Sequence, residues 1–244
     1  MDHGNRVDSE FDLEQTILEV SNLSVKLKDS IILDRLNFKV PRGSIVAIVG
    51  PNGAGKTTLF RALMNLIPYT GTIRWKVGIR MGYVPQNLVV TDIPITVEEF
   101  LRFKCRTELS SCLNLVGLKQ EILGSSLGTL SGGQLQRVLL AWSIVDFPEV
   151  LLFDEPTTGV DVGAEEPIYE KVRELKKELG ITVLLITHNH HVVAHYSDYV
   201  LSLNRRQLFF GKTSSIVHTQ MVSLMIGEVP ESISEAYSES VKET

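Results

Sequence analysis

The sequence predicts an α/β fold: a buried parallel sheet, an antiparallel layer ahead of it and a helical segment inserted within it. Three observations carry this expectation. The apolar runs Ile45–Val49, Val150–Phe153 and Thr182–Ile186 have the composition of strands covered on both faces. The stretch before the first run alternates apolar and polar residues with period two, as half-buried antiparallel strands do. The stretch from about residue 96 to 143 lacks strand alternation and reads as helical.

Taken in order, residues 1–15 are polar and form an expected disordered N-terminal arm. Short strands follow at Ile17–Val20, Leu23–Leu27, Ile31–Leu33 and Leu36–Val40, and Pro41-Arg42-Gly43 is a turn. The first buried strand, Ile45–Val49, runs into a glycine-rich loop and then the helical pattern Leu59–Met64. Gly71–Trp75 and Met81–Val84 are further strands, ended by Pro85-Gln86. Thr96-x-x-Glu99 is a capping box that opens a helix over Val97, Phe100 and Leu101. Gly124-Ser125-Ser126 breaks the helical stretch. A helix from about Ala164 stops at Gly180, and Tyr199–Leu203 and Gln207–Phe210 close the pattern as a strand pair. Glu231, Glu235, Glu239 and Glu243 fall four apart beyond Gly227, stacking like charges in any helix there, so residues 228–244 read as a frayed acidic tail.

A chain of 244 residues fits one large domain or a core with a subdomain. Its longest apolar run, Val138–Val145, falls well short of a membrane span, and the polar start does not resemble a signal peptide. Cys105 and Cys112 match neither a zinc nor a disulfide framework, which fits a reducing cytosol. A net charge of −5 speaks against broad nucleic-acid binding.

The chemistry is concentrated in three places. Gly50-Pro51-Asn52-Gly53-Ala54-Gly55-Lys56-Thr57-Thr58 lies between a strand and a helix, the context the phosphate-binding pattern G-x-x-x-x-G-K-[ST] requires. The glycines allow close backbone approach to a polyphosphate, and the loop and helix start aim N–H groups at the anion. Lys56 adds a cation for the β- and γ-phosphates, and the Thr57 hydroxyl can ligate Mg²⁺. Asp154 closes a buried strand, which suits an acceptor for Mg²⁺ or its waters, and Glu155 can take a proton from an attacking water. Ser131-Gly132-Gly133-Gln134 is a capping box with two glycines in a helix's first turn, each costing about 1 kcal/mol relative to alanine. Such a start with bare N–H groups is a second anion site, about 75 residues beyond the first.

These motifs, in this order, resemble the ATP-binding subunits of ABC transporters over residues 16–227. Gly50–Thr58 matches the family's phosphate loop, Gln86 after Tyr83-Val84-Pro85 its glutamine loop, and Leu130–Gln134 its signature. Val150–Glu155 matches the second nucleotide motif, Gly159-Val160-Asp161 the aspartate loop, and His188 the switch histidine. Gly159–Val162 and Tyr199–Asn204 look most like the ATPases of zinc and manganese importers. The resemblance implies a RecA-like P-loop core with an antiparallel β-subdomain (16–90 and 144–227) and a helical subdomain (91–143). It further implies that two copies pair head to tail, with ATP and Mg²⁺ between the phosphate loop of one and the signature of the other. Ser131 and Gly133 would then contact the γ-phosphate held by the other copy's Lys56, and Asp161 would link the two sites. Glu155 would polarise the attacking water, His188 would fix the γ-phosphate, and Gln86 would sense Mg²⁺ and water. An integral-membrane permease is the implied mechanical partner, docked near Gln86 and the segment 96–143, with a solute-binding protein acting indirectly. No nucleic acid is implied, and the location is peripheral, on the cytoplasmic face of the cell membrane.

Two departures stand out. The family's adenine-stacking aromatic falls by register at Leu27, and Asn189 follows the histidine where the family more often has Asp. His188, His190, His191 and His195 invite a metal-site reading, but His188 belongs to the nucleotide motifs and the others flank a short surface helix. A soluble ABC-type ATPase of DNA repair or chromosome maintenance is the rival. It usually carries a long coiled coil or zinc module between Gln86 and Ser131, where this chain has 44 residues without a heptad run. A module that binds but does not hydrolyse would lack Glu155 or His188, and both are present.

Overall fold

The structure is a computed structural model that describes residues 15–86, 94–105, 108–155 and 166–230. The bulk of the arm and of the acidic tail, and the loop carrying Asp161, therefore lie outside the described residues. The chain opens with two long strands, β1 (Thr16–Leu27) and β2 (Ser30–Pro41), where four short ones were expected. The difference lies in β-bulges. Asn22 and Arg35 take φ of 50° and 51° and shift the register without ending the pairing. Their amides find side chains instead: Asn22 N–H donates to Asn37 Oδ1 and Arg35 N–H to Ser24 Oγ, both at 2.8 Å.

β3 (Ile45–Val49) leads into α1 (Lys56–Leu63). β4 (Thr70–Trp75) then pairs antiparallel with β1, completing a three-stranded sheet in the order β2-β1-β4. β5 (Met81–Val84) is followed by the helical segment: α2 (Val97–Arg102), α3 (Leu109–Leu115) and α4 (Gly132–Ile144). The capping box holds at α2, where Glu99 N–H donates to Thr96 Oγ1 and Thr96 N–H to Glu99 Oε2. β6 (Val150–Asp154), α5 (Glu166–Leu179), β7 (Thr182–Ile186), α6 (His190–Tyr196), β8 (Tyr199–Asn204) and β9 (Arg206–Lys212) follow, and α7 (His218–Ile226) ends the described chain.

The second sheet has the order β5-β6-β7-β3-β8-β9, parallel except for β9. Every residue of β3, β6 and β7 is buried, as their apolar runs require. Alternation divides them between two cores. Val46, Ile48, Val150, Leu152, Leu184 and Ile186 pack with α1 and the antiparallel sheet. Leu151, Phe153, Val183 and Leu185 pack with the helices on the other face. The sheet thus stands as a wall between two layers, and the loops leaving β3, β6 and β7 share its carboxyl edge, where open α/β sheets bind ligands. The helix α7 was not foreseen: its buried residues Met221 and Leu224 give too sparse a stripe to reveal a helix.

Candidate active site

At the carboxyl end of β3 the chain wraps as expected, but two of its glycines answer to the protein itself. A Cβ on Gly50 would lie 2.0 Å from the Leu203 carbonyl oxygen of β8, and one on Gly55 would lie 2.5 Å from Leu33 Cδ2 of β2. Gly55 takes φ of 99° as the cap of α1, a left-handed conformation that favours glycine. The loop is thus pressed between both sheets, and it opens outward. An open cleft of about 370 Å³ is lined by Ile32, residues 52–58, Gln86 and Glu155. Lys56, the first residue of α1, is almost fully buried, and its Nζ donates to the carbonyls of Gly50 (2.9 Å) and Pro51 (3.1 Å). Burial pulls its pKa below the usual lysine range, while the charges of Glu155 and Asp154 pull it back up.

Asp154 ends β6 at 1% exposure. Thr57 Oγ1 donates to its Oδ1 at 3.4 Å and the Tyr83 hydroxyl to its Oδ2 at 3.5 Å. A hydroxyl beside a carboxylate is an all-oxygen donor set, which suits a hard cation of the Mg²⁺ class. Burial raises the Asp154 carboxyl above the usual carboxylate range. Glu155 adds to the rise, and the bonds from Thr57 and Tyr83 oppose it. A carboxyl that holds its proton more tightly folded than unfolded stabilises the fold when protonated, and that contribution is lost as pH rises through the raised value. Above that raised value the ionised group therefore weighs against the fold. Asp154→Asn is expected to raise Tm at pH 7 while lowering ATP hydrolysis about 10–100-fold or more. A thermal melt and a phosphate-release assay check this, and a lowered Tm would contradict it.

Glu155 is held from three sides. Its N–H donates to the Ile186 carbonyl at 3.1 Å, Gln86 Nε2 donates to Oε2 at 2.5 Å, and His188 Nε2 stands 2.7 Å from Oε1. A carboxylate oxygen accepts here, and the imidazole N–H at Nε2 is the available donor. Glu155 adopts φ of 43°, a strained conformation for a non-glycine residue and of the kind that gathers at functional sites. β5, β6 and β7 thus deliver Gln86, Glu155 and His188 to one point beside the phosphate loop. A carboxylate so placed can take a proton from water next to a bound polyphosphate.

The second glycine motif stands apart. Ser131 caps α4, its Oγ accepting the Gln134 N–H at 3.2 Å and its N–H donating to Gln134 Oε1 at 3.0 Å. Ser131 and Gly132 are exposed, and a Cβ on Gly133 would meet nothing within 4 Å, so this face is open to approach. None of these residues lines the phosphate-loop cleft; Gln134 lines a different one, with Lys119 and Arg137.

Leu27 ends β1 opposite Ser30, is 39% exposed and does not line the cleft, whereas Ile32 does. Ile32 and Tyr83 escaped the sequence reading, because Ile31-Ile32-Leu33 is an unbroken apolar run and nothing local marks Tyr83 as a partner of Asp154. Cys105 and Cys112 are buried free thiols with sulfurs 3.9 Å apart, and burial with the neighbouring thiol pushes Cys112 up to about 11. Among the described residues no three His, Cys, Asp or Glu side chains gather into a metal-holding group. His195 Nδ1 is tied to the His191 carbonyl at 2.9 Å.

A phosphate loop and a Gln86–Glu155–His188 cluster on one sheet edge, with a glycine-rich capping box on a separate helix, define the ATP-binding subunit of a transport machine. The chain belongs to the ABC transporter family, whose model matches residues 33–158, and it is an ATPase coupled to transport. It is 40% identical over 195 residues to the zinc import ATP-binding protein ZnuC of Cereibacter sphaeroides, covering 78% of this chain and 80% of that one. Identity to ZnuC of Pseudomonas syringae pv. syringae is 35% over 226 residues, 91% and 86% of the two chains. Among solved structures it resembles cbiO1 of Clostridium perfringens, part of the ABC transporter complex cbiONQ. That match has a TM-score of 0.74 at 26% identity, covering 85% of this chain and 93% of that one. Among the described residues no helix is long and apolar enough to cross a membrane.

Proposed function

We propose that this chain hydrolyses Mg²⁺-bound ATP to drive import of a divalent metal ion, zinc or manganese, through a membrane permease. The observation that carries the hydrolytic part is Glu155, clamped between Gln86 and His188 beside the phosphate loop. Similarity to zinc import ATP-binding proteins supports zinc as the cargo and favours a transporter over a soluble repair ATPase.

In this reading residues 50–58 wrap the phosphates, and Lys56 exchanges its carbonyl partners for the β- and γ-phosphates. Thr57 and Asp154 would hold Mg²⁺, which would supply positive charge to neutralise the phosphate oxygens. Glu155 orients the attacking water and accepts its proton, Gln86 senses Mg²⁺ and water, and His188 steadies the γ-phosphate. Ser131, Gly132, Gly133 and Gln134 complete the site of a second copy in a head-to-tail homodimer, and Asp161 joins the two sites. The separation of Ser131 from the cleft within one chain supports this division of labour. The antiparallel and parallel sheets form the core (16–90, 144–227), and residues 91–143 form the subdomain that meets the permease on the cytoplasmic face of the membrane. Cargo arrives from a solute-binding protein.

Phe100, Leu101, Phe103 and Leu115 are apolar side chains that segment 96–143 could offer to the permease. Leu101 is core at 1% exposure and Phe100 stacks on Trp142 at 5.7 Å between centroids, but Phe103 is 77% exposed. Phe103→Glu is expected to lower metal uptake at least ~10-fold while leaving ATP hydrolysis within ~2-fold, as fits an interface anchor and not a core residue. Uptake of radioactive zinc and manganese by cells lacking the chromosomal copy, complemented with either form, tests both points. Normal uptake of both metals without any functional copy would overturn the import reading.

A further inference from the structure

We propose that the turn joining β8 to β9 is a brace that sets the phosphate loop against β2, with Arg205 as its positioning residue. The Arg205 main chain reaches both walls of the cleft. Its N–H donates to the Ala54 carbonyl of the phosphate loop at 3.0 Å, and its carbonyl accepts the Asp34 N–H of β2 at 2.8 Å. Ile32, which lines the cleft, lies two residues before Asp34 on the same strand. A side-chain lock reinforces the link, with Arg206 Nε donating to Asp34 Oδ2 at 2.8 Å. Arg205 holds φ of 59° to make both backbone bonds, a conformation that non-glycine residues keep only where their surroundings impose it.

The same turn also bears on the start of the loop. The Leu203 carbonyl fills the space where a Gly50 Cβ would stand, 2.0 Å away. At the end of α7, a Cβ on Gly227 would lie 2.9 Å from Asn204 Nδ2 and 3.0 Å from Pro51 Cδ, so the helix end, the turn and the loop are packed without slack. Residues 50 to 54 are therefore fixed at both ends by one five-residue stretch, 203–207, and its flank. Gln207 extends the link, its Oε1 accepting the Asn37 N–H of β2 at 3.1 Å.

Glu155, Gln86 and His188 hang from β6, β5 and β7, away from the brace. The brace thus governs how well the loop fits a nucleotide's phosphates, while turnover of bound ATP is set elsewhere. This inference rests on the nucleotide reading of the cleft, and the test separates the two.

ADP is titrated calorimetrically into the full chain, with hydrolysis at saturating ATP measured alongside. Arg205→Gly keeps both backbone bonds and the positive φ, and binds ADP within ~2-fold of the unaltered chain. Arg205→Pro has no N–H and cannot reach that φ; it is expected to bind ADP ~10-fold more weakly, with maximal turnover within ~2-fold. Should it fail to fold, Arg206→Ala removes the side-chain lock while leaving the pair between Asp34 Oδ1 and Arg35 Nε in place, and is expected to weaken ADP ~3-fold. Unchanged ADP affinity in the folded variant overturns the brace. So does a loss of turnover at unchanged affinity, which would mark general damage. Failure of the unaltered chain to bind ADP would overturn the nucleotide reading instead.

Discussion

Glu155→Gln is expected to lower ATP hydrolysis by about 10²–10⁴-fold, the usual contribution of a general base, while leaving ATP binding intact. Glutamine matches glutamate in size and keeps an oxygen to accept from Gln86 Nε2, which stands 2.5 Å from Oε2. Its amide can donate toward His188 if the imidazole proton moves to Nδ1. The φ of 43° is no harder for glutamine than for glutamate, so fold and stability should hold. What disappears is the ability to accept a proton. ATP then stays unhydrolysed, and the variant accumulates as an ATP-bound dimer, visible as a doubling of mass by light scattering when ATP is added. Near-normal turnover would remove Glu155 from its assigned role and shift suspicion to Asp154, its buried neighbour.

Lys56→Ala and Ser131→Arg are each expected to abolish hydrolysis, and mixing the two chains is expected to restore part of it. Lys56→Ala loses the cation at the loop, and Ser131→Arg places a bulky charge on the exposed start of α4. In a head-to-tail mixed dimer, one composite site has an altered lysine and an altered serine, and the other has both intact. Random pairing makes half of all dimers mixed, each with one good site of two, so the mixture should recover up to about a quarter of the unaltered rate if single sites turn over independently. A titration of one variant into the other reads this directly. Zero recovery with demonstrated mixed dimers would mean that both motifs must act within one chain or that both sites must fire together.

How much of this was legible in the sequence depends on how local the signal is. The phosphate loop, both capping boxes and the three buried strands are written in contiguous residues, and each forms where its pattern placed it. The antiparallel strands were split too finely because Ser21-Asn22 and Asp34-Arg35 look like turns. Only the partner strand, which supplies Asn37 and Ser24 to the bulged amides, makes them bulges. The glycines were expected at the loop for the sake of a ligand. Gly50 and Gly55 turn out to be required by Leu203 and Leu33, residues far away in sequence, which no local pattern records. The cluster at Glu155 was foreseen as a set of roles, but its contacts depend on β5, β6 and β7 lying side by side. The helix α7 is set by burial of Met221 and Leu224 against β8 and α6, a tertiary effect on a weak stripe. Asp161 lies outside the described residues and remains a proposal.

The central claim is that ATP is hydrolysed at sites shared between two copies of the chain. Hydrolysis per subunit, measured with Mg²⁺ at saturating ATP across a wide dilution series alongside the mass of the species present, tests it most directly. Specific activity is expected to rise with protein concentration and level off as dimer dominates, with the rise lost in Ser131→Arg. A flat specific activity carried by a monomer at every dilution would contradict it.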